Sequence, residues 1–224
     1  MDTLPNDMIK YIITVVDNRQ DMLNLISVSK KFNQYRYLFF ERKYFDAIIV
    51  PKDSYHKIIN VKNCTDQYRL MPNLKKIMFY ETFNEPVDDL PSGVNTLIID
   101  STFDQPLNNL PSGLTHLFLG DFFNQPVDNL PSSLTYLSIG SFFDQPLDNL
   151  PSTLTYLSVG TVFNRPLDNL PSGLTFLQTG HKFNQPINNL PTNLKHLRTG
   201  FEFNQPLDNL PKGLAKLMLG GSFN

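Results

Sequence analysis

The residues in this chain whose types could do chemistry are few, and their spacing limits what that chemistry can be. His116 and His196 stand four 20-residue periods apart. If each period is one coil of a stacked structure, they are separated by roughly 19 Å at ~4.8 Å per strand, too far to hold one metal ion. His181 and His196 fall close enough to approach each other on adjacent coils, but no third ligand accompanies them, as a zinc site would require. The pairs Asp88-Asp89 and Asp128-Asn129 offer oxygen ligands for calcium. Most copies of that position carry one carboxylate or none, too little charge for an oxygen cage. Cys64 has no activating partner in sequence, so nothing marks it as a nucleophile. Neither a phosphate-cradling glycine loop nor an H-E-x-x-H zinc motif is present. The expectation is a binding protein and not an enzyme, with no cofactor and no metal.

The elements that must position any binding residues are set by a repeat. From Phe83 onward the chain reads F-[ND]-x-P-[LVI]-[DN]-[DN]-L-P-x-x-[LV]-x-x-L every 20 residues, with Phe at 83, 103, 123, 143, 163, 183, 203 and 223. A unit this short cannot bury its own apolar side chains and must stack on its neighbours, which defines a solenoid. In Leu114-Thr115-His116-Leu117-Phe118-Leu119-Gly120, alternation of Leu117 and Leu119 predicts a short strand with those two side chains inward. Successive strands would pair in parallel. The remaining residues of each unit are too few for a crossover helix with its two loops, so the return should be extended or 3₁₀-like.

Each repeated column has a packing role. The Phe column should stack as an aromatic spine, each ring burying about 150–250 Å². The two Pro columns, Pro86 to Pro206 and Pro91 to Pro211, fix φ where the loop has no ladder partner. The Asn or Asp after each Phe (Asn84, Asp104, Asn124) is expected to satisfy its own turn. The column Asn109, Asn129, Asn149, Asn169, Asn189 and Asn209 is expected to form an asparagine ladder between coils. Gly120, Gly140, Gly160, Gly180, Gly200 and Gly220 mark a strand exit that needs either positive φ or close backbone approach.

Function then falls to the columns that vary. One outward column runs Thr96, His116, Tyr136, Tyr156, Phe176, His196, Lys216, and the next runs Ile98, Phe118, Ser138, Ser158, Gln178, Arg198, Met218. A third, past the glycine, includes Asp121, Ser141, Thr161, His181 and Phe201. Together they predict a concave face with an aromatic centre, the usual anchor of a protein interface. His116, Phe118, Tyr136, Tyr156, Phe176, His196 and Arg198 are the candidate target-binding residues. The competing reading is that the rings merely stack along the sheet and stabilise it.

The 224-residue chain has a formal net charge of −2 that hides an uneven distribution. Residues 83–160 contain nine acids and no Lys or Arg. Residues 161–224 carry Arg165, Lys182, Lys195, Arg198, Lys212 and Lys216 against Asp168, Glu202 and Asp208. No basic stripe runs along the repeat, which argues against nucleic acid as the ligand. The longest apolar runs, such as Ile12-Ile13-Thr14-Val15-Val16, are too short to span a bilayer. One cysteine, an acidic start and no signal-peptide core predict a cytoplasmic protein with no membrane partner.

Upstream of the array, residues 1–45 read as three short helices. Met8, Ile9, Ile12, Ile13 and Val16 share one helix face. Met22, Leu23 and Ile26 belong to a second helix, and Phe32, Tyr35, Leu38 and Phe39 to a third. Residues 46–82 form a linker and divergent N-terminal capping repeat, with Ile58, Ile59 and Val61 as a candidate first strand and Leu74 to Phe79 as the next. Residues 83–224 form seven full repeats plus the trailing Phe223-Asn224. The overall class is α+β, a small helical unit followed by a parallel β-solenoid. The final coil carries no polar cap, so the expectation includes end-to-end self-association through it.

Two family resemblances add to this. The signature F-N-x-P-[LI]-x-x-L-P resembles the FNIP repeat, a leucine-rich-repeat-like unit found in social amoebae and in giant amoeba-infecting viruses. Leu4-Pro5-x-Asp7-Met8-Ile9, then Asp21 to Leu25, then Val28-Ser29-Lys30-Lys31-Phe32 resembles an F-box, although the Trp common near that family's end is missing here. The combination is similar to substrate receptors of Skp1–cullin–F-box ubiquitin ligases. It implies that residues 1–45 dock a Skp1-like adaptor through Leu4, Pro5, Ile9, Leu23 and Val28, in the host cytoplasm if the chain is viral. The repeat face would then hold a protein substrate of unknown identity. The alternatives are a scaffold or decoy without a ligase link, whose helices only cap the solenoid, and a lectin-like sugar binder.

Overall fold

The computed structural model describes residues 59–61, 75–79, 83–99 and 102–224. The segment read as an F-box, with Leu4, Pro5, Ile9, Leu23 and Val28, lies outside the described residues, as does most of the proposed cap.

Among the described residues the fold is one parallel sheet. Its strands are β1 (Ile59–Val61), β2 (Lys76–Phe79), β3 (Thr96–Ile99), β4 (His116–Leu119), β5 (Tyr136–Ile139), β6 (Tyr156–Ser158), β7 (Phe176–Gln178), β8 (His196–Arg198) and β9 (Lys216–Met218). They lie side by side in chain order. From β2 onward each residue pairs with the one 20 positions later, for example Leu97 with Leu117 and Leu137 with Leu157. The sequence period and the sheet register are therefore the same quantity, and every repeat column is a physical column along the stack.

Alternation sets the two faces. In β4, Leu117 and Leu119 are buried while His116 and Phe118 point away from the core. The buried face meets the Phe spine, whose rings from Phe83 to Phe223 stack with centroids 6.0–6.2 Å apart. Phe79 extends it at the N-terminal side, 3.9 Å from Phe83. The core is this spine, the inward strand residues, and the apolar columns of the return, such as Leu147 and Leu154.

Among the described residues the return contains no 3₁₀ helix. It is extended, with three tight turns in most coils, and in each coil the Pro carbonyl accepts the N–H three residues on, as in Leu134 to Pro131 at 3.0 Å. The residue after each Phe also does something other than expected. Asp104 Oδ1 accepts the Asn124 N–H at 2.9 Å and Asn124 Oδ1 accepts the Asp144 N–H at 2.9 Å. These side chains satisfy the next coil rather than their own turn, because stacking brings that N–H nearer than any local one. The Asn149, Asn169 and Asn189 amides reach back to Asp128, Asp148 and Asp168 at 2.9–3.0 Å. The inter-coil rungs are thus Asn to Asp, not Asn to Asn.

Glycine at the strand exit answers to close approach. A Cβ on Gly160 would lie 2.0 Å from the Gly140 carbonyl oxygen, and one on Gly180 would lie 1.6 Å from that of Gly160. Only an atom-free Cα side lets successive coils nest there.

Candidate functional site

The open face of the sheet presents a row of rings. Tyr136 and Tyr156 stack with centroids 4.0 Å apart, and Tyr156 and Phe176 follow at 4.3 Å. These spacings are closer than those of the spine because strand pairing itself sets the coil separation here. His116 stacks on Tyr136 at 5.6 Å, and His196 meets Phe176 edge-on at 6.1 Å. Phe118, from the neighbouring outward column, tilts onto Tyr136 at 4.8 Å. Six of the seven residues expected to form this face are therefore one contiguous aromatic group. Arg198 stands exposed on β8, in the column of Phe118.

The rings occupy each other's faces, so what they offer outward is edges and hydroxyls. Tyr136, Tyr156 and Phe176 are half-buried, whereas His116 and His196 are exposed. Burial, and then a hydrogen bond to Tyr156, push the Tyr136 hydroxyl up to about 12. The row is apolar across its centre, with Ser138 and Ser158 beside it. Such a surface can pack an apolar or aromatic partner side chain and hydrogen-bond it at the rim.

A threonine column supports the row from its strand-entry side. Thr115, Thr135, Thr155 and Thr175 each donate a hydroxyl to the carbonyl 20 residues earlier, at 2.9–3.1 Å. Each hydroxyl ties one coil to the next directly beside a ring. Sequence reading missed this column, although the recurring Thr before the aromatic position was visible.

It also missed Phe122 and Phe142, which are 54% and 49% exposed and contact each other at 5.1 Å. The signal was the Phe-Phe doublet at 122–123 and 142–143, where one ring serves the spine and the other has no place in it. His181 does not join His196. It stacks on Phe201 at 5.2 Å and lies 3.5 Å from Glu202. Among the described residues no three His, Cys, Asp or Glu side chains are grouped to hold a metal ion, and no helix is long and apolar enough to cross a membrane.

A parallel solenoid with 20-residue coils, inward leucines and a laterally open sheet face defines a leucine-rich-repeat-like protein. The FNIP Repeat model matches residues 83–122, 123–162 and 163–202, each match spanning two coils, and the chain belongs to that family. It is similar to the crystal structure of CroV588, described as a novel circular LRR protein structure, with 40% identity and a TM-score of 0.65. The similarity covers 68% of this chain and 25% of that one, so this chain spans about a quarter of its length. No curated protein gives a match.

Proposed function

We propose that the protein is an interaction scaffold whose open sheet face holds a protein target, with Tyr136, Tyr156 and Phe176 as anchors. The observation that carries this is the unbroken run of rings from His116 to His196, half-buried at its centre and extended sideways by Phe118. Rings of this kind dominate the energetics of interfaces when a partner completes their desolvation. Pure stabilisation of the sheet would not call for aromatics on the solvent side when β-branched residues serve it as well.

The finer reading makes the scaffold a substrate receptor of a Skp1–cullin–F-box ligase in the cytoplasm. Its support is the sequence resemblance at Leu4, Pro5, Ile9, Leu23 and Val28, placed ahead of a leucine-rich-type array. Catalysis would then be proximity: a target lysine held near a charged conjugating enzyme gains effective concentration. Affinity for a purified Skp1-like adaptor tests this, comparing wild type with Leu4→Asp/Pro5→Ala. Tight binding lost in the variant supports the receptor reading. No binding by a folded wild type leaves a scaffold without a ligase link. The face is tested separately: alanine at Tyr136, Tyr156 and Phe176 should abolish target capture and leave Tm within a few degrees, since the buried side of the strands is unchanged. A glycan panel bound by wild type and not by the triple variant would instead establish a sugar binder.

A further inference from the structure

Outside the last coil, every exposed large hydrophobic among the described residues lies on one edge, the turn just past the strand-exit position. These are Phe122, Phe142 and Phe201. The same edge carries Asp121 toward one end and, toward the other, Lys182 beside a His181–Glu202 pair that is 3.5 Å apart. Its backbone is already satisfied: Phe142 N–H donates to Asp121 C=O at 2.8 Å, Val162 to Ser141 at 2.9 Å and Lys182 to Thr161 at 2.9 Å. Any partner must therefore meet side chains rather than add a strand.

We infer that this edge pairs with the same edge of a second copy, antiparallel, about a two-fold axis between the coils of Phe142 and Val162. In that register Phe142 of each copy faces Val162 of the other, giving an apolar centre. One coil further out, Asp121 and Phe122 face Lys182 of the second copy, so the ammonium meets a carboxylate and a ring together. The axis falls where the chain changes sign. Residues 83–160 hold only acidic charges, and residues 161–224 are basic on balance. On this edge antiparallel pairing brings Asp121 to the other copy's Lys182, while in-register parallel pairing would set Asp121 against Asp121 and Lys182 against Lys182. Such an isologous contact closes at two copies.

Asp121 and Lys182 cannot satisfy each other within one chain, being three coils or roughly 14 Å apart. Asp121 instead accepts from Ser141 N–H and Oγ on the adjacent coil at 3.2 and 2.7 Å. Lys182 has no ion-pair partner among the described residues. The strip is small against ordinary stable interfaces, so the dimer is weak and forms at high micromolar concentration.

Sedimentation equilibrium of the full chain at low salt, up to about 500 μM, tests the pairing. The expected largest species is a dimer. Asp121→Lys and Lys182→Asp should each lower the association constant about tenfold, and the double swap should restore it, because the new lysine then meets the new aspartate across the axis. Phe142→Asp should leave a monomer with unchanged circular dichroism and Tm. A wild type that stays monomeric across the range overturns the inference, as does a double swap no stronger than the single ones. Mass that climbs beyond the dimer and ignores residues 121 and 182 overturns it too, assigning association to the end coil.

Discussion

Tyr136 shows how a single side chain reports the state of the open face. A tyrosine is neutral when protonated, and both burial and the bond to Tyr156 favour that form, which raises its titration to about 12. Below pH ~10 the folded and unfolded chains both keep the proton. As pH rises from about 10 to about 12, the unfolded chain ionises while the folded one does not, so the stability tied to this group is lost over that window. Tyr156→Phe keeps the stacked ring but removes the hydrogen bond. In that variant the Tyr136 titration, followed by phenolate absorbance, should fall only part of the way toward its ordinary value, since burial is the larger cause. A second residue is informative through what it lacks. Thr179 takes the inward place of Leu119, Ile139 and Val159, and its buried hydroxyl has no hydrogen-bond partner. Thr199, one coil on, accepts from Gly220 N–H at 3.3 Å. Thr179→Val should therefore stabilise the fold by about 1 kcal/mol, and Thr199→Val should gain less, as judged by urea denaturation.

At the scale of one coil, the strand-exit glycines divide positions that tolerate a methyl group from those that do not. Gly160→Ala drives a Cβ into the Gly140 backbone at 2.0–2.3 Å, whereas in Gly173→Ala the nearest atom is the Ser152 carbonyl oxygen at 3.4 Å. The first should cost about 1–3 kcal/mol by forcing coils apart, and the second should be neutral or slightly stabilising, because it only restricts the unfolded chain. Thermal unfolding of the pair checks this. The coil was largely legible in sequence, since the Phe period fixed the register and the Leu-x-Leu alternation fixed the buried face. What escaped is what depends on the neighbouring coil. A linear reading places Asn84, Asp104 and Asn124 in local turns, because local hydrogen bonds are the only ones it can enumerate. Stacking supplies a closer donor, and the same effect hid the rungs from Asn149, Asn169 and Asn189. At the candidate site, the membership of the Tyr column followed from alternation, but its mutual spacing and the exposed Phe122–Phe142 pair did not. Those depend on how the chain turns after glycine, which the repeat pattern does not encode.

At the scale of the whole molecule, stability is transmitted along one dimension, because each coil touches only the coils before and after it. Phe143 shows the consequence. It is fully buried and stacked on both sides, 6.2 Å from Phe123 and 6.1 Å from Phe163, while Phe223 is 36% exposed and stacked on one side only. Phe143→Ala removes two inter-coil contacts at once and leaves a cavity between them, a loss of about 3–5 kcal/mol. Phe223→Ala removes one contact at a half-open position and should cost well under half as much. The central change also weakens the coupling that makes the two halves unfold together. Urea denaturation of Phe143→Ala should thus show a broader transition with a smaller m-value, and hydrogen exchange should show the coils on either side of Phe143 opening at different denaturant concentrations. Phe223→Ala should keep a single sharp transition with its m-value unchanged. If Phe143→Ala instead unfolds in one sharp step, cooperativity extends beyond nearest neighbours, and the Asn-to-Asp rungs and threonine hydroxyl ties would carry the coupling that the aromatic spine does not.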